Sequence, residues 1–256
     1  MQCSADADNT FGPQHCNQFD FTLLFEQTVF QIAPCAILIL MLPPRAFQLR
    51  RRKVKTLKDG AMAAKAIALV VLAGTQLALL IAWSSIPTFR TKASIPAAVL
   101  SFVAALSLLY LSSVEHMKSV CPSSTIGIYT LFSFLLDIPQ VRTLWLRSNW
   151  RAIPVIFTVG MLAKTVVLYL ETRNKQRSLL SPYRFYAPEV LASIYDRVVL
   201  WWLNPLFLQG YRSVISFDSL FSIDSKLSSG PNERIFNKFW SKREYLPSKS
   251  YFFAPY

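Results

Sequence analysis

Of 256 residues, 53% are hydrophobic and 16% are charged, with a formal net charge of +13 and a mean hydropathy of +0.34. Soluble domains carry about 25% charged residues, so this balance disfavours a soluble enzyme, a disordered tail and a coiled coil. Seven glycines and fifteen prolines exclude a collagenous or low-complexity chain.

The chain opens with a tail, residues 1–18, that holds Asp6 and Asp8 and no Lys or Arg. That charge is the reverse of a secretory n-region, so the first apolar stretch is not a signal peptide. Cys3 and Cys16 share this tail. On the outside of a membrane, an oxidising compartment, they are candidates for a disulfide.

Five apolar stretches follow, at Phe19–Leu42, Ala61–Ile86, Ile95–Val114, Ser123–Val141 and Trp150–Leu170. Each is close to the ~20 residues a helix needs to cross about 30 Å of hydrocarbon. Between Ala66 and Trp83 the polar side chains are Thr75 and Gln76, both uncharged. A soluble helix of that length would show a polar face every three or four residues. In hydrocarbon a lone span must also satisfy its backbone internally, which makes it helical. The expected fold is therefore all-α, a polytopic bundle of five transmembrane helices over residues 19–171.

The loop Arg45–Lys58 carries seven cations. By the positive-inside rule it is cytoplasmic, which puts the N-terminus outside and the C-terminus inside, with eleven loop cations inside against five outside. Trp83, Trp145 and Trp150 then fall near outer ends, and Tyr110 and Tyr169 near inner ones, as an aromatic belt. Cations that flank spans meet lipid head groups. The expected partner is therefore the lipid bilayer, with no nucleic acid.

Charged residues inside spans raise functional hypotheses. Lys65 and Glu171 sit a turn from the inner ends, where snorkelling to water is the simplest reading. Glu26, Asp137 and Lys164 lie deeper. Glu26 and Asp137 are at similar outer depths and are expected to face a common polar interior, with Arg142 and the outer arginines as counter-ions. Packing between helices accounts for such residues more simply than a proton or substrate path. Pro34, Pro139 and Pro154 mark kinks or first turns.

Residues 172–189 read as a basic cytoplasmic linker with Pro182 and Pro188. Residues 190–210, VLASIYDRVVLWWLNPLFLQG, bring Leu191, Ile194, Val198, Trp201 and Trp202 to one helical face. Asp196, Arg197 and Asn204 argue against a sixth crossing, and an amphipathic helix lying in the interface fits better. Pro205 is expected to break it and Gly210 to turn the chain. Residues 211–256 hold no full span.

Catalytic signatures are absent from these 256 residues. No glycine is followed by lysine, so there is no G-x-x-x-x-G-K-[ST] phosphate loop. HExxH, G-x-S-x-G and CxxC do not occur either. The expected catalytic, cofactor and metal residues are therefore none, and ATP has no site here.

FDFTLLFEQTVFQIAP at Phe19–Pro34, the basic loop, five spans, LLSPYRFYAPE at Leu179–Glu189 and WWLNPLFLQGYRSVISFDSLFSID at Trp201–Asp224 come in a telling order. It closely resembles the N-terminal region of ABC transporters of the C subfamily, the multidrug-resistance-associated type, most like fungal members. The specific piece is the run Trp201, Trp202, Leu203, Asn204, Pro205, Leu206, Phe207 with a downstream Gly-Tyr-Arg. The chain departs from the family at Phe217-Asp218-Ser219-Leu220, where a leucine-aspartate-aspartate-leucine run is usual. The resemblance implies a five-helix accessory domain, a lasso linker at 172–189 and an elbow helix at 190–210. It also implies a chain that stops before the first core transmembrane domain. ATP and Mg would belong to domains beyond this chain, and the partner would be the transporter core, in a plasma or vacuolar membrane. Two other readings are a stand-alone scaffold docked on another membrane protein, and a membrane-embedded enzyme using Glu26, Asp137 and Lys164.

Overall fold

The computed structural model describes residues 9–15, 19–56, 59–85, 90–147, 151–173, 175, 179–180, 187–216, 220 and 229–244. Cys3, Cys16 and Trp150 lie outside them. A short antiparallel hairpin, β1 (Pro13–His15) with β2 (Phe19–Phe21), precedes the helices, with Gln14 opposite Asp20. Gly12, at φ +136°, makes the turn into it, a conformation that favours glycine.

Helix α1 spans Leu23–Arg50, α2 Gly60–Ser85, α3 Ser94–Lys118 and α5 Ala152–Thr172; these four are long and apolar enough to cross a membrane. Between α3 and α5 lies α4, Ser124–Arg147, 24 residues long, less apolar because Asp137, Gln140 and Arg142 interrupt it. Thr22 starts α1 by accepting a hydrogen bond from the Phe25 amide at 3.3 Å. Glu26–Ile32 is π-helical, directly ahead of Pro34, whose ring nitrogen cannot donate.

The five helices close a ring. Helix α3 packs on α1 and α2, α2 on α5, α5 on α4, and α4 returns to the π-helical part of α1. The buried face of α3 is Ala97, Ala98, Ser101, Ala104, Ala105, Leu108 and Ser112. Such small residues let backbones approach where lipid supplies no hydrophobic drive between helices. The opposite pattern faces outward. Ile67, Val70, Val71, Leu77 and Ile81 of α2 are exposed, an apolar stripe suited to lipid.

One end of the bundle carries the hairpin and the loop before α3. The other, the basic end, carries residues 51–56 and the segment after α5. There the strand-like contact of Thr56 with Leu179 ties the linker to the basic loop.

The expected continuous helix over 190–210 is instead a series of short pieces: α6 (Pro188–Leu191), α7 (Ile194–Val198), a 3₁₀ turn (Trp201–Leu203) and α8 (Asn204–Arg212). Ser193 and Asp196 form a capping box that restarts the helix at α7. Leu200, at φ 56°, turns the chain before Trp201. Pro205 begins α8 rather than ending a helix, because a first-turn amide needs no partner. The last described helix is α9, Ser229–Glu244, where the Phe236 and Trp240 rings stack with centroids 5.4 Å apart.

Candidate functional site

Polar side chains within the bundle gather at three levels. Nearest the hairpin, Gln27 Oε1 accepts from the hydroxyls of Thr91, at 2.5 Å, and Ser94, at 3.0 Å. Glu26, fully buried, accepts from Thr143 Oγ1 at 2.7 Å through its carboxylate and from Gln140 Nε2 at 2.7 Å through its carbonyl. These bonds join α1 to α4 and to the start of α3.

At mid-depth Lys164 Nζ of α5 lies 2.5 Å from Asp137 Oδ2 of α4 and donates to Ser133 Oγ at 2.7 Å. The two charged side chains are 14% and 4% exposed. Beside them Gln31 Nε2 donates to Ser101 Oγ at 3.0 Å, and Cys35 Sγ contacts the Tyr129 hydroxyl at 3.5 Å. A cavity of about 20 Å³, room for one water, is lined by Gln31, Cys35, Ser101, Tyr129, Asp137 and Lys164 among others.

At the basic end Lys65 Nζ lies 2.8 Å from Glu171 Oε2, and Ser112 Oγ donates to the same carboxylate. Arg45 Nε lies 2.6 Å from Glu115 Oε1. His116 and Lys175 are buried next to these pairs. Among the described residues neither His116 ring nitrogen, nor Lys175 Nζ, has a hydrogen-bond partner. Burial, then the positive charge of Lys65, pulls the Lys175 ammonium down to about 8.

The geometry brings some expected residues together and separates others. Lys164 pairs with Asp137. Glu26 bonds α4 at Thr143 and Gln140, not at Asp137. Arg142 is exposed and lies five positions from Asp137, about 140° around the helix, so it does not serve as its counter-ion. Lys65 and Glu171 do not snorkel; they neutralise each other at 6% and 2% exposure. Sequence reading missed the Arg45–Glu115 pair and the cluster around Gln27. The signal lay in the glutamines and hydroxyls inside the spans, which cost too much to leave unbonded in hydrocarbon.

The linker docks on the basic end. The Lys55 and Thr56 amides donate to Met117 O at 2.9 and 3.3 Å, and the Leu180 amide donates to Lys55 O at 3.1 Å. Val120, Leu179 and Leu191 form a small apolar cluster beneath. The Tyr195 ring lies over Gly127 of α4, where a Cβ would meet it at 3.5 Å. Arg197 donates to the Glu189 and Val190 carbonyls at 2.8 and 2.9 Å. Past this docked stretch the chain turns apolar and exposed: Val198, Val199, Leu200, Trp201, Phe207 and Leu208 pack against nothing in the bundle that buries them, while Trp202 and Asn204 are half-buried and Pro205 is exposed.

None of this assembles a reactive centre. Among the described residues no group of three or more His, Cys, Asp and Glu side chains converges as metal ligands. The charges at mid-depth cancel, and what they do physically is fix the rotation of α4 against α5.

Residues 2–180 match the family described as the ABC transporter TMD0 domain. Similar proteins include an ABC-type transporter of Gibberella zeae, 35% identical over 93% of this chain and 16% of its own length. ABC multidrug transporter B of Aspergillus fumigatus is 36% identical over 91% of this chain and 16% of its own. ABC multidrug transporter lscH of Purpureocillium lilacinum is 34% identical over 96% and 16%. The chain thus spans about a sixth of the length of these relatives, and it corresponds to an accessory membrane region rather than to their ATP-binding core. A bundle of apolar helices pinned by internal polar pairs, with no phosphate loop and this match over most of its length, belongs to the ABC transporter TMD0 domain family.

Proposed function

We propose that this integral membrane domain is the N-terminal accessory module of a C-subfamily ABC exporter, crossing the bilayer five times with its N-terminus outside. What supports the fifth crossing is the length of α4, whose 24 residues reach about 36 Å at 1.5 Å each. Residues 172–189 act as the lasso and the exposed apolar stretch from Val198 onward as the elbow, resting on the inner leaflet of a plasma or vacuolar membrane. The transporter core is the partner; transport and ATP hydrolysis belong to it, and this region supplies docking, trafficking or gating contacts.

The observation that carries the reading is the docked linker. Thr56 with Leu179, and Tyr195 over Gly127, place both parts of the segment that leads out of the bundle against it. Movement at the bundle is thereby passed to whatever follows Leu200. The Cys3–Cys16 disulfide remains part of the proposal. The test is co-purification with a core from Aspergillus fumigatus ABC multidrug transporter B that lacks its own matching region. The tagged chain is expected to retain that core in detergent, and to lose it when residues 172–215 are deleted. Equal recovery with and without those residues overturns the role given to the linker. A tag before Met1 is expected to be reachable from outside intact cells and one between Arg52 and Lys53 not; the reverse labelling inverts the topology.

A further inference from the structure

Several cations of the basic end have partners. Arg45 and Lys65 are matched to carboxylates, and Lys118 Nζ donates to the Arg50 carbonyl at 3.1 Å. Arg50, Arg51, Arg52 and Lys53 are different: four consecutive cations, all exposed. No carboxylate lies within ion-pair distance of them among the described residues. No acidic residue occurs from Pro43 to Lys58.

This corner is held in place. Leu49 just before it is fully buried and Thr56 just after it is 3% exposed. Its direction follows from helix geometry. At 100° per residue Leu40, Pro44, Phe47 and Arg51 fall within about 60° of one another. Leu40 and Phe47 are 75% and 58% exposed, and Pro44 is exposed too, so that stripe is the lipid-facing side of α1. Arg51 ends the stripe about 16 Å along the axis from Leu40, and its guanidinium sits 4.5 Å from the Phe47 ring centroid. The apolar ring under the charge and Val54 beyond it, 56% exposed, form an interfacial corner facing outward from the bundle.

We infer that the corner Arg50–Lys53 is a binding surface for the phosphate head groups of anionic phospholipids in the leaflet where α1 ends. Charge complementarity carries it: the cations have no carboxylate partner among the described residues, and the lipid-facing stripe of α1 runs directly into Arg51. Guanidinium groups suit phosphate oxygens because they offer paired, fixed donors. The inference depends only on α1 crossing a bilayer and stands apart from the transporter assignment.

The test is lipid selectivity by electron spin resonance. The purified chain is reconstituted in phosphatidylcholine vesicles carrying a trace of spin-labelled phosphatidic acid or, separately, spin-labelled phosphatidylcholine. The expected result is a several-fold preference of the motionally restricted shell for phosphatidic acid. Arg51→Gln is expected to lower it in part, by less than the roughly fivefold that one cation contributes near a fully anionic surface, while Arg51→Lys retains most of it. The full R50Q/R51Q/R52Q/K53Q variant should abolish it; should that variant fail to insert, the single substitution decides. Selectivity unchanged in Arg51→Gln overturns the proposal. So does displacement of the labelled lipid by inorganic phosphate beyond that caused by chloride of equal ionic strength, which would make the site one for free phosphate.

Discussion

The pair Lys164–Asp137 sits where a membrane helix can least tolerate a lone charge, and its removal in two ways tests whether it is structural. Lys164→Met leaves the Asp137 carboxylate, 4% exposed, without its cation, and Ser133 without its donor. Breaking a buried pair from one side costs about 3–5 kcal/mol, whereas replacing both members by apolar groups of similar volume is near neutral. At about 2–4 °C per kcal/mol for a domain of this size, Lys164→Met is expected to lower the unfolding midpoint by about 6–20 °C. Asp137→Leu alone, which strands the ammonium, should do likewise. The double variant K164M/D137L should recover most of the loss, a coupling of several kcal/mol in the double-mutant cycle. The assay is thermal unfolding of the detergent-solubilised chain followed by a thiol-reactive dye on buried Cys35. Additive losses would refute the reasoning. They would show that the two side chains stabilise the bundle independently, and that their 2.5 Å approach has no energetic consequence.

Lys175 supplies a pH test with a definite sign. Its folded-state pKa of about 8 lies below the ordinary 10.5. The unfolded chain therefore binds more protons between those values, and stability rises with pH across that window. Below pH 8 the full cost, about 3 kcal/mol at 1.36 kcal/mol per unit, is present. Lys175→Met should raise the midpoint by several degrees at pH 7 and flatten the rise between pH 8 and 10; a steeper rise or a lower midpoint would contradict the assignment. Gly127→Leu should push Tyr195 off α4 and speed tryptic cleavage after Arg197. Gly127→Ala, whose Cβ meets the ring at an ordinary 3.5 Å, should leave that rate unchanged. Gly160→Leu should destabilise by about 1–3 kcal/mol through overpacking, because even a Cβ there lies 3.3 Å from Thr75 Oγ1 and 3.4 Å from Gln76 Nε2. Gly160→Ala should cost far less in the same melting assay.

The helix positions were readable because hydropathy reports the solvent each segment meets, and four of the five stretches became helices long and apolar enough to span. Helix α4 is the weakest because Asp137, Gln140 and Arg142 lower its mean. Yet its register was also readable. Ser133, Asp137, Gln140 and Leu144 recur at three- and four-residue spacing, and the structure buries all four. Arg142 falls off that face, so pairing it with Asp137 by depth alone ignored rotation about the axis. Over residues 190–210 the apolar spacing hid two local signals. Ser193 with Asp196 three residues later starts a helix, and so does Asn204 followed by Pro205. Both are strong enough to divide a run that hydropathy treats as one.

What sequence left open was which helix faces which, and the reason is specific to lipid. Between soluble helices an apolar stripe identifies the inward side. In this bundle the outward faces are as apolar as the inward ones: Ile67, Val70 and Val71 of α2 are exposed while Leu69, Leu72 and Ala73 are buried. Orientation is therefore carried by small residues and by polar groups that must find partners. Lys65 and Glu171 are 106 positions apart, and Arg45 and Glu115 are 70 apart. Each charge taken singly looks able to reach water from a helix end, and the pairing emerges only when two helices are rotated together. The same logic accounts for the exposed run Arg50–Lys53. Inside the ring a charge is tolerated where a partner cancels it, so a surplus of positive charge is held at the rim, where head groups supply the balance.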